Sequence, residues 1–158
     1  MSLLSIQDLC ASLSGTQRLI GIDLGSKTIG LALSDTRRRL ASPYGSLKRR
    51  KLNQNATEIA EIALREGAYG LVIGLPLSMD GTLGPAAQAA RDWTHALTDA
   101  TGLPAAMWDE RLSSAAVNRM LVQDADLSRA KRSAVVDRSA AAWILQGALD
   151  AVALGETQ

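Results

Sequence analysis

Four acidic residues stand where a carboxylate serves chemistry better than folding. Asp23 ends the apolar run Leu19-Ile20-Gly21-Ile22, and a glycine-containing turn follows it. Desolvating a carboxylate at the end of a buried strand is costly unless a cation or hydrogen bonds compensate. Asp109 and Glu110 close a second short apolar run, Pro104 to Trp108. Alternation along a strand puts these two on opposite faces, so only one can point at a site, and spacing alone does not choose between them. Asp137 shares a helical stripe with Ala141, Ile144, Ala148 and Ala151 that is otherwise apolar. Carboxylates gathered from such distant parts of a chain repel one another, which raises their pKa values. Two Mg²⁺ or Mn²⁺ ions about 4 Å apart would relieve that repulsion and align a water for in-line attack on a phosphodiester.

Several of the candidate residues also have a plainer reading. Asp137 suits the first turn of a helix, where the dipole favours negative charge, and Arg138 is available to pair with it. Glu110 could pair with Arg111 or cap a helix. Asp35 and Asp80 lie in turn contexts that favour Asp for backbone reasons. His95 sits mid-helix without a partner motif and reads as a packing or surface residue.

The basic residues are unevenly distributed. Residues 1–51 hold nine Lys/Arg against three Asp/Glu, whereas the rest of the chain is net acidic and the whole carries only +1. Arg37-Arg38-Arg39 and Lys48-Arg49-Arg50-Lys51 account for most of the excess. Such asymmetry fits either a polyanion partner or solvated loops.

The elements that must position these groups follow from pattern. Two β-like runs, 18–23 and 28–34, flank the Asp23 turn, and a weaker third strand, 40–47, carries Pro43, which places it at a sheet edge. From Asn53 to Glu66, Ala56, Ile59, Ala60, Ala63 and Leu64 recur at helical spacing until Gly67 stops the helix. Tyr69 to Gly74 is a buried strand. The glycine-rich loop around Ser78, Asp80, Gly81 and Gly84 reads as mobile, and Pro85 opens a helix to about Ala100. A fifth strand ends at Asp109-Glu110, and a helix capped by Ser113 or Ser114 runs to about Gln123. A polar connection to Arg132 and a last helix from Ser133 to about Ala153 complete the chain. The result is an α/β domain with a five-stranded mixed sheet, strands 1–3 antiparallel and strands 4 and 5 parallel to strand 1. Asp23, the end of strand 4 and Asp109-Glu110 then share the carboxyl rim where open α/β sheets bind ligands. Lys48 to Lys51 lies at that end, and Arg37 to Arg39 at the other.

One domain, 18–153, accounts for most of the 158 residues, with 1–17 an N-terminal extension or short helix and 154–158 a tail. The sequence has no Phe, so its core is built from Leu, Ile, Val and Ala. Cys10 stands alone, which excludes a disulfide framework and a cysteine metal cage. No apolar run reaches the roughly 20 residues of a membrane span, and the first residues lack a basic leader. The expectation is a cytoplasmic protein with no membrane partner.

GIDLGSKTIGLALSD, LVIGLPLSMDGTLGP, WDERLSSAAV and VDRSAAAWILQGALD, in that order, resemble the YqgF/RuvX family of RNase H-like nucleases. The resemblance runs from about Leu19 to Asp150 and implies a ribonuclease H-like fold with Asp23, Glu110 and Asp137 as an acidic triad. It thereby selects Glu110 over Asp109. Asp23 would bridge two Mg²⁺ or Mn²⁺ ions, and Glu110 and Asp137 would each hold one. The implied activity is hydrolysis of phosphodiesters in maturing the 5′ end of the small-subunit ribosomal RNA precursor, on RNA or on a ribosomal precursor particle. The alternatives are Holliday junction resolution and a non-catalytic RNA-binding module. Lys27, Lys48, Arg49, Arg50, Lys51, Arg111, Lys131 and Arg132 would meet phosphates. The loop from Ser78 to Gly84 would close over the strand, and the chain would act as a monomer or weak homodimer. Asp-Leu-Gly-Ser also resembles the first phosphate loop of actin-like and sugar-kinase ATPases. Those enzymes close two such domains on ATP, and this chain has one.

Overall fold

Alternate residues of strand β1 (Arg18–Leu24) face two different hydrophobic cores, and that alternation sorts the rest of the chain. Leu19 belongs to one core, Ile20 and Ile22 to the other, as the two-residue period of a strand requires. The computed structural model describes residues 3–111 and 129–155, apart from the side chains of 129–139.

On one side β1 pairs with antiparallel β2 (Thr28–Ser34), which pairs with antiparallel β3 (Ala41–Lys48). On the other, β4 (Ala68–Leu75) and β5 (Ala105–Asp109) run parallel to β1. The order β3-β2-β1-β4-β5 is the expected mixed sheet of a ribonuclease H-like fold. β3 is an edge strand, and its register shifts beside Pro43, which has no N–H to give the ladder.

The face carrying Ile20 and Ile22 is covered by the two crossover helices, α2 (Leu52–Glu66) and α3 (Pro85–Thr101). Gly67 ends α2 in the left-handed conformation, φ 70°, with its N–H on the Ala63 carbonyl. Pro85 opens α3 as expected. One part of the helical pattern is corrected: Leu64 is 88% exposed, and Ile62 is buried in its place. The inward face runs through Ala56, Ile59, Ile62 and Ala63. Leu64 lies one further step of about 100° round the helix and faces out.

The opposite face is covered by α4 (Arg129–Ala153), with a short N-terminal helix, α1 (Ile6–Ala11), beside it. Ser5 caps α1 by accepting from the Asp8 N–H at 3.1 Å, and Ile6 and Leu9 enter the core. Just before it, the Leu4 N–H donates to the Ala105 carbonyl at 2.9 Å, which covers part of the open edge of β5. Helix α4 begins earlier than its sequence suggests. Residues 129–132, read as a polar connection, are helical, since Arg, Ala and Lys are good helix formers with no breaker among them. The helix expected from Ser113 or Ser114 to Gln123 lies outside the described residues.

Ala141, Ile144, Ala148 and Ala151 are all buried, as the stripe requires, and Leu145 and Leu149 join them. Seating α4 this close needs bare backbone beneath it. A Cβ on Gly21 would lie 2.7 Å from the Leu145 Cβ and 2.9 Å from the Ala141 carbonyl oxygen. Neither neighbour is the loose end of a side chain, so the helix itself would have to move. Gly21→Ala is expected to cost about 1–3 kcal/mol, read as a lower urea midpoint at unchanged slope. Wild-type stability in that variant would mean that α4 does not rest on β1 as described.

Candidate active site

The face that receives α4 also carries the acids. Asp23 is two residues beyond Gly21 on β1, so its side chain leaves the sheet on the same side. Its strand partner there is Gly30 of β2. Glu110 follows the last residue of β5, and its N–H donates to the Leu75 carbonyl at 3.1 Å, continuing the parallel register. Its side chain lies over Gly74 of β4: a Cβ there would collide with the Glu110 carboxylate and lie 2.8 Å from its Cγ and 2.7 Å from the Ile144 Cδ1. Gly74 thus provides the space in which Glu110 lies between the sheet and α4. The signal for it was in the sequence, since a glycine inside a strand often marks a close approach.

Burial is the largest influence on Glu110, and the negative charges of Asp23 and then Asp109 add to it. Together they push its carboxyl from the ordinary 4.5 to about 7. Asp109 goes the other way. It is 6% exposed and faces the opposite side of the sheet, among Leu75, Leu77 and Met107. Arg111 grips it with Nε on both oxygens at 3.0 Å and Nη2 on Oδ2 at 2.6 Å. That pairing holds the Asp109 carboxyl below the usual range. Arg111 therefore serves Asp109, not Glu110, and the two neighbouring acids are divided between the two faces.

Asp137 lies within α4, with its side chain outside the described residues, as are those of Lys131, Arg132 and Arg138. Among the described residues, no three acidic, His or Cys side chains are grouped for a metal ion.

The basic run at the end of β3 does lie beside the Asp23 turn. Lys48 pairs with Thr28, the Arg49 N–H donates to the Lys27 carbonyl at 2.9 Å, and Arg49 Nη1 donates to the Gly25 carbonyl at 2.9 Å. Lys27, Lys48, Arg50 and Lys51 are exposed. Arg38 of the other run is bound at the far end, with Nη1 on the carbonyls of Gly15 and Gln17. Asp35 accepts from the N–H groups of Arg39 and Leu40, which makes it a turn residue and lowers its pKa.

The Ser78–Gly84 loop is organised by its own bonds. Asp80 Oδ1 accepts from the Thr82 N–H and hydroxyl, and the Ser78 N–H donates to the Thr82 carbonyl. Arg111 Nη1 reaches the Met79 carbonyl at 3.3 Å and so ties this loop to the residue after Glu110. His95 is half-buried on α3. Among the described residues no helix is long and apolar enough to cross a membrane.

Known proteins resemble this chain at two levels. A family model described as "RuvX: Holliday junction resolvase" matches residues 17–151. A protein of Gluconacetobacter diazotrophicus named "Putative pre-16S rRNA nuclease" is 62% identical, over 97% of this chain and 99% of that protein. One of the same name from Acidiphilium cryptum is 62% identical over 95% and 94%. Among solved structures, RuvC of T. thermophilus in complex with Holliday junction substrate superposes with a TM-score of 0.55. It covers 90% of this chain and 98% of that one at 14% identity, a likeness of fold.

The state of Glu110 makes a pH prediction for metal-free protein. The native chain keeps this proton up to about pH 7, whereas the unfolded chain loses it near 4.5. Between those values the native state binds more protons, so stability falls as pH rises through the window. Glu110→Gln abolishes that fall and should gain on wild type by about 1–2 kcal/mol between pH 4 and pH 8, after allowance for solvent screening. Parallel pH profiles from urea melts of the two proteins in chelator would show that Glu110 is not so placed.

Proposed function

The chain belongs to the RuvX family, and from that premise we propose that it is a metal-dependent nuclease that matures the 5′ end of precursor 16S rRNA. The observation that carries this reading is the convergence of Asp23 and Glu110 on one face of the sheet, with Glu110 raised to about pH 7 by burial and by its acidic neighbours. A buried acid in a field of negative charge is poorly suited to stabilising a fold. It suits a position that a cation occupies. Hard oxygen donors of this kind fit Mg²⁺ or Mn²⁺.

Asp23, Glu110 and Asp137 would hold the metal. Bound there, a divalent pair supplies an activated water and neutralises charge developing on the phosphate. The protein's own part is to place the acids and the substrate. The β1 and β5 ladders set Asp23 and Glu110, Gly74 gives Glu110 its room, and α4 keeps bulk water from that side. Lys27, Lys48, Arg50 and Lys51, exposed beside the Asp23 turn, would engage phosphates along a strand that crosses the rim. Arg49 and Arg111 support this arrangement through their hydrogen bonds to Gly25 and Asp109.

RNA is preferred over branched DNA because the relatives named for precursor 16S rRNA share 62% of their residues with this chain, whereas the RuvC likeness is one of fold. Junction cleavage is the second reading, favoured by the description of the family model. The test is to incubate a 16S precursor 5′ leader and a four-way DNA junction with wild type and Asp23→Asn, each with Mn²⁺, Mg²⁺ or chelator. Wild type should cut the RNA only with metal, and Asp23→Asn should lose more than about 100-fold in rate. Cutting of the junction alone would assign the protein to recombination. RNA binding without cleavage by either protein would make it a binding module.

A further inference from the structure

The most deeply buried amide side chain in the described part of the molecule is not in the acidic site. Asn55, in the first turn of α2, is 0% exposed. Nothing in its sequence context distinguishes it, because Asn is common near helix starts. Two of its three side-chain hydrogen bonds, however, leave α2 and end on the basic turn. Asn55 Oδ1 accepts from the Arg50 N–H at 2.8 Å, and Nδ2 donates to the Lys48 carbonyl at 3.1 Å and to Glu58 Oε1 at 3.0 Å. The amide therefore bridges the backbone on both sides of Arg49. From the other side, Arg49 holds the same turn to Lys27 and to Gly25, two residues past Asp23. The Lys48–Lys51 turn is clamped between the helix and the Asp23 turn, with its cations left exposed.

We propose that Asn55 is a positioning residue for the nucleic-acid strand, acting by holding the Lys48–Lys51 turn so that its cations meet consecutive phosphates beside Asp23. This deepens the nuclease reading and rests on it. A flexible loop of the same charge would still attract RNA, but each side chain would have to be ordered on binding. With the backbone already fixed, that cost is met during folding. An amide suits the position because it both donates and accepts. A carboxylate could satisfy the Arg50 N–H, but it would face the Lys48 carbonyl and Glu58 with no donor.

The measurement is binding of a single-stranded RNA oligonucleotide across a salt series, made with Asp23→Asn as the parent so that nothing is cleaved, and with folding confirmed by circular dichroism. In the parent, log K should fall steeply with log salt. Adding Asn55→Ala should flatten that slope by about one to two units, the signature of one or two fewer phosphates neutralised. On otherwise wild-type protein, Asn55→Ala should raise KM about tenfold and leave kcat within about twofold, as expected when uniform binding is removed. Arg50→Gln with Lys51→Gln should flatten the slope similarly, and Asn55→Ala should then add little, since both act through one turn. If Asn55→Ala does not fold, Asn55→Gln, which keeps both amide functions at the wrong reach, is read in its place. An unchanged slope and KM in a folded Asn55 variant overturns the proposal, and so does full additivity with the Arg50/Lys51 pair. If the parent itself does not bind RNA, the nuclease reading fails first and this inference with it.

Discussion

Helix α4 lies against the sheet at a distance that only bare backbone permits, and the acidic site is built around that contact. At Gly21 the constraint is structural, because a Cβ would meet the Leu145 Cβ and the Ala141 carbonyl. At Gly74 it becomes functional, because the space left by the missing side chain is shared by Ile144 of the helix and the carboxylate of Glu110. The same closeness that buries Ala141, Leu145 and Ala148 also withdraws Glu110 from water. Packing and pKa are here one fact seen twice: the helix that completes the core desolvates the acid.

The electrostatics depend on which face each charge occupies. Asp109 and Glu110 are adjacent in sequence and opposite in behaviour, one held ionised by Arg111, the other driven towards protonation. Arg111 cannot serve both, because the pleat of β5 sends the two side chains to different sides of the sheet. Among the described residues, Arg38, Arg49 and Arg111 give hydrogen bonds to backbone carbonyls. Each ties a loop to its neighbour. A planar fork of donors can bind a carbonyl and keep its charge, so Arg49 and Arg111 tie together loops at the rim, while the exposed Lys48, Arg50 and Lys51 present their charges to solvent.

The two levels of likeness inform different parts of this picture. A shared fold at 14% identity says how strands and helices are arranged. Identity of 62% over nearly the whole length carries the family. Fold alone would leave the substrate open, since one architecture serves many chemistries.

Much of this molecule was legible from its residues. Strand direction followed from periodicity and from the handedness of crossovers, which are local and chiral constraints that any sequence obeys. The carboxyl rim followed from strand direction, and the buried stripe of α4 from the spacing of Ala141, Ile144 and Ala148. What pattern could not decide depended on neighbours distant in the chain. Leu64 fits an apolar helix face by spacing but turns outward, because the sheet lies to the other side of α2. Neither the partner of Arg111 nor the bonds of Asn55 can be read from composition, since both residues have common and harmless uses where they stand. Periodicity specifies which side of an element is apolar. Only the packed structure determines which atoms meet across it, and at this site those meetings set the charge of Glu110 and the place of the basic turn.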